Sequence, residues 1–82
     1  MKAQVKHFNA ELGYYSAITE NRNKVVFILV EPATLHLGDI LDGDIESSGN
    51  RTILNETQNT QLKVNVKELH NLDEPFRGHS RA

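Results

Sequence analysis

Apolar and polar residues alternate along most of this chain with a period of two, and the alternation is interrupted at short intervals. Leu62, Val64 and Val66 share one face of a run whose other face carries Lys63, Asn65 and Lys67. A run of that kind is a half-buried strand. Similar runs predict strands over residues 2–9, 14–20, 24–30, 39–46, 52–55 and 62–67. Turn formers separate them: Gly13, Asn21-Arg22-Asn23, Glu31-Pro32, Gly38-Asp39, Ser47-Ser48-Gly49-Asn50 and Gln58-Asn59. No window sustains a helical stripe. Short strands with closely spaced turns predict an all-β fold, a barrel or a sandwich.

The run from Lys24 to Val30 departs from the pattern, because every position after Lys24 is apolar. Alternation groups Val25, Phe27 and Leu29 on one face and Val26, Ile28 and Val30 on the other. A strand apolar on both faces is expected to be covered on both, and Leu69, Leu72 and Phe76 are candidates for the outer cover. In the fourth run, Leu41, Gly43 and Ile45 alternate with Ile40, Asp42, Asp44 and Glu46. That spacing predicts a row of acids on a solvated outer face. Residues 1–69 are expected to form one domain and residues 70–82 a loose tail.

Composition narrows the class. The chain has 82 residues, enough for one small domain. It has no cysteine, which excludes disulfides and thiolate metal sites. No apolar run of spanning length occurs, so a cytoplasmic protein with no membrane association is expected. The net charge is -2, and the acids Glu31, Asp39, Asp42, Asp44 and Glu46 concentrate between residues 31 and 50. The broad basic footprint of a strong nucleic-acid binder is missing, so any phosphate-tracking surface must be local. The histidines at 7, 36, 70 and 79 have no ligand spacing, and the acids do not match a calcium loop. No nucleophile elbow or phosphate loop occurs. No metal, cofactor or enzymatic activity is expected.

The opening run carries a further signal. It reads Val5-Lys6-His7-Phe8-Asn9, followed by Leu12-Gly13-Tyr14-Tyr15-Ser16-Ala17, then Val26-Phe27-Ile28-Leu29-Val30, and later Gly38-Asp39-Ile40-Leu41-Asp42-Gly43-Asp44-Ile45. Over about residues 2–51 this resembles the cold-shock domain family, a five-stranded OB-fold barrel. The resemblance implies a five- to six-stranded OB-fold or cold-shock-like barrel to which this chain adds a C-terminal hairpin. It also implies single-strand binding by base stacking on exposed aromatics. On the matching positions the binding residues are Lys6, His7, Phe8, Tyr14, Tyr15 and Phe27. The chain departs from the family pattern where His7 replaces a tryptophan, Tyr15 a glycine, Ser16 an aromatic, Leu12 a lysine, and Leu29-Val30 a His-Phe pair. Two expectations follow. One is weak binding of single-stranded RNA or DNA. The other is a homodimer or protein-interaction module without nucleic acid, using Val25, Phe27 and Leu29 as a dry contact face.

Overall fold

The structure, a computed structural model, describes residues 1–72. Six strands make up the fold: β1 (Lys2–Asn9), β2 (Tyr14–Thr19), β3 (Asn23–Leu29), β4 (Ile40–Asp42), β5 (Gly49–Asn55) and β6 (Thr60–Asn71). They close into a barrel in the order β1-β2-β3-β6-β5-β4, and each neighbouring pair is antiparallel. Two three-stranded meanders therefore meet along two seams, β3 on β6 and β1 on β4. The expected small all-β barrel is what the chain forms, and the C-terminal hairpin supplies two of its staves. No described helix is long and apolar enough to cross a membrane.

Turn chemistry joins the strands. Gly13, at φ 73°, closes the first turn with its N–H on the Asn9 carbonyl at 2.8 Å, while the Asn9 side chain accepts from the Leu12 N–H at 3.1 Å. Arg22 and Asn59 take the left-handed conformation in the β2–β3 and β5–β6 turns. Asparagine tolerates that region better than most residues.

The interior holds Ala3, Val5, Ala17, Val25, Phe27, Leu35, Leu41, Ile45, Ile53, Leu62, Val64 and Val66. Each strand contributes alternate residues, as the period of two requires. Polar groups tie down both ends of the barrel. At one end Asp39 Oδ2 accepts from Asn55 Nδ2 and from the His36 backbone N–H, each at 2.9 Å. At the other, Glu46 accepts from Thr19 Oγ1 at 2.6 Å, Asn23 Nδ2 at 2.7 Å and Asn21 Nδ2 at 3.2 Å.

Two departures from the sequence pattern have local causes. β4 is only three residues long, against an expected 39–46. It stops at Gly43, whose φ is 152° and where a Cβ would stand 2.8 Å from Ile53 Cδ1. The chain turns there, so the acids do not form a row: Asp44 accepts from the Ser47 hydroxyl, and Glu46 turns to the β2–β3 end. At the other end of the chain, β6 runs on to Asn71, opposite Asn23. Residues 73–82, including the candidate cover residue Phe76, lie outside the described residues. Leu69 stands opposite Val25 in the ladder, and Leu69 and Leu72 are each about half exposed.

Candidate functional site

Two bulges decide which side chains share a surface. In β1, Val5 pairs with Ala17 and His7 with Ser16, leaving Lys6 without a cross-strand partner. In β6, Val66 pairs with Phe27 and Glu68 with Val26, leaving Lys67 as the extra residue. A bulge shifts the alternation by one, so residues after it change face relative to those before.

After the first bulge, Phe8 comes opposite Tyr15, which lies opposite Phe27. The three rings form a ladder toward the interior: Phe8 and Tyr15 at 4.5 Å between centroids, tilted by 32°, then Tyr15 and Phe27 at 5.7 Å, stacked within 15°. Phe8 is 42% exposed and Phe27 is 0% exposed. A ring with no accessible surface offers no face to a base, so Phe27 belongs to the core and not to a surface platform. The resemblance implied an outward ring at this position. In this barrel Val25, Phe27 and Leu29 are the inward set, and Val26 and Ile28 are the outward one. The same placement removes the expected dry interface. Val25 and Phe27 have no exposed surface, and Leu29 packs partly against the core. Closure of the barrel has already used that face.

The outer face of β1, β2 and β3 holds the remaining candidates. His7, Ser16, Val26 and Glu68 form one row across four strands. Three interstrand spacings make that row about 14 Å wide. Asn9 and Tyr14 pair in the neighbouring part of the ladder. An open groove of about 360 Å³ runs over this face, lined by His7, Asn9, Leu12, Tyr14, Tyr15, Ser16, Lys24, Val26 and Glu68. Lys6 is exposed at the bulge on one flank. Thus His7, Tyr14 and Tyr15 of the expected binding set come together in the groove, with Lys6 beside it. Phe8, an exposed ring, and Phe27, a buried one, are the two ends of the ladder through Tyr15.

The sequence reading did not place Leu12, Ser16, Lys24, Val26 or Glu68 in a site. Alternation was signal enough for Ser16, Lys24 and Val26, which share the outward phase of β2 and β3. It was not enough for Glu68, whose face depends on the bulge at Lys67. Chemically, the groove offers three rings (His7, Tyr14 and Tyr15), a pair of short polar side chains (Asn9 and Ser16), and one charge of each sign. Glu68 Oε1 is held by His70 Nε2 at 2.8 Å. Among the described residues no cluster of three metal-ligating side chains occurs. Comparisons with protein-family models, curated proteins and solved structures find no match to this chain.

Proposed function

We propose that this chain is a binding domain, not an enzyme, that takes short single-stranded nucleic acid weakly along the outer face of β1, β2 and β3. The observation that supports the reading is the groove in which His7 and Tyr14 present rings on one face, with Lys24 in its lining and Lys6 on its flank. Bases stack on the rings, and the lysines meet the phosphates. Each aromatic stack is worth about 1–3 kcal/mol. Two such platforms with two lysines suggest a dissociation constant on the order of 0.1–1 mM. Weak binding also fits the net charge of -2. A cytoplasmic location belongs to the same proposal.

The test is an amide chemical-shift titration with a short oligopyrimidine at low salt. Shifts are expected at His7, Tyr14 and Lys24. They should weaken with added salt along a log–log slope of about −1.4, the value for two phosphate contacts on a single strand. Tyr14→Ala should lower the affinity by about tenfold. Absence of shifts at millimolar oligonucleotide and low salt would remove the reading.

A protein partner on this face is the competing interpretation. It is favoured by Leu12, which is 64% exposed, and by the outward Val26 and Ile28. Self-association through this face would broaden Leu12 and Val26 resonances with rising protein concentration and no nucleic acid present.

A further inference from the structure

The groove has an acid where continued alternation in β6 would have put a base. Leu62, Val64 and Val66 point inward, so an unbroken strand would set Lys67 beside Val26 on the outer face. The bulge at Lys67 instead sets Glu68 opposite Val26, and Glu68 lines the groove. A surface built only to follow phosphates gains nothing from a carboxylate there, because like charges repel. A carboxylate does suit one part of a nucleotide: an exocyclic amino group on a base edge, which donates hydrogen bonds and carries no negative charge.

Glu68 is placed to do this. It is level with Ser16, two strands away and two residues along from Tyr14, which makes about 12 Å from strand spacing and rise together. A base on the Tyr14 ring spans part of that gap, and the glutamate side chain spans the rest. The carboxylate has two oxygens, and the hydrogen bond from His70 Nε2 to Oε1 steadies the group while leaving acceptor capacity for a further donor. Lys24 lines the same groove and supplies the opposite charge for the phosphate.

We infer that Glu68 is a specificity residue and that the groove selects bases bearing an amino group over bases that present a carbonyl at the same position. Among pyrimidines this means cytosine over uracil. The inference rests on the nucleic-acid reading of the groove and adds to it the class of base. Uracil presents an acceptor oxygen where cytosine presents an amino donor, so Glu68 attracts one and repels the other.

The experiment compares oligocytidine and oligouridine of equal length against the wild-type chain and Glu68→Ala, following Tyr14 shifts. Glu68 is exposed and makes no core contact, so the variant should keep the fold, checked by its amide spectrum. The expected result is a preference of about threefold to tenfold for oligocytidine in the wild type. In Glu68→Ala the two should bind alike, with oligouridine gaining affinity. Equal binding of both by the wild type, or a preference that survives in Glu68→Ala, overturns this inference and leaves nucleic-acid binding standing. If neither oligomer moves Tyr14 at low salt, the nucleic-acid reading itself falls and the inference with it.

Discussion

Asp39 is the most constrained acid among the described residues. It is 3% exposed, and Oδ2 alone accepts from Asn55, from the His36 backbone and, at 3.4 Å, from Gln58 Nε2. Burial by itself would raise its pKa. The hydrogen bonds from Asn55, His36 and Gln58 outweigh that effect and leave it below the ordinary carboxylate value. Glu46 is also lowered, first by the Thr19 hydroxyl, against partial burial, and further by Asn23 and Asn21. A carboxyl whose folded pKa lies below its unfolded one takes up its proton more readily when unfolded. Its contribution to stability is present above the unfolded pKa and is lost as pH falls through the folded one. The urea midpoint should therefore fall as pH drops below about 4. Asp39→Asn should cost about 1–2 kcal/mol at neutral pH and flatten the acid limb of that curve, leaving the parts due to Glu46 and to Asp42, whose carboxyl the N-terminal ammonium also holds below its ordinary value. An acid limb as steep as the wild type's would mean that Asp39 contributes nothing to it.

At the level of elements, local signals located the strands well, and pairing then adjusted them. β1 starts and ends at the expected residues, and the 14–20 and 24–30 runs appear as Tyr14–Thr19 and Asn23–Leu29. Alternation also sorted β3 into its two co-facial sets. It did not say which set faces inward, because both are apolar. The bulges at Lys6 and Lys67 were not legible, since a bulge is a property of two strands and nothing in either lysine's neighbours marks it. Gly43 shows a different limit. As a glycine in an alternating run it signalled a bend, but the close approach of Ile53 that ends β4 is a tertiary contact. Gly43→Ala should press a methyl group against Ile53 Cδ1 and strain a φ of 152°. A loss of about 1–3 kcal/mol is expected, read as a lower urea midpoint with an unchanged slope. A neutral substitution would mean that Ile53 moves freely out of the way.

For the whole molecule, closure is the deciding event. The cold-shock-like part of the sequence ends near residue 51, yet β3 has its second partner only in β6. The core also needs Ile53, Leu62, Val64 and Val66 from beyond that point. A fragment of residues 1–51 would leave β3 with an open edge and the first meander with an uncovered apolar face. It should show no cooperative thermal transition by circular dichroism, whereas the full chain should. A folded fragment would show that the first meander and β4 suffice without the hairpin. The outer groove depends on the same closure, because Glu68 reaches it only through the β3–β6 seam.

The sequence by itself determined the order of the six strands and the bounds of the first three to within a residue, which residues of each regular run share a face, and that the product is a small all-β domain. These follow from a side-chain period of two and from turn chemistry, both local. β4 ends early, β5 begins at Gly49 inside an expected turn, and β6 runs past its expected bounds at both ends. Tertiary structure decided which apolar face of β3 became the interior, that Phe27 closes a ring ladder in the core, and that Glu68 instead of Lys67 lines the groove that also holds Tyr14. Each of those depends on which strand lies alongside and in what register, and a one-residue shift in register reverses every face beyond it.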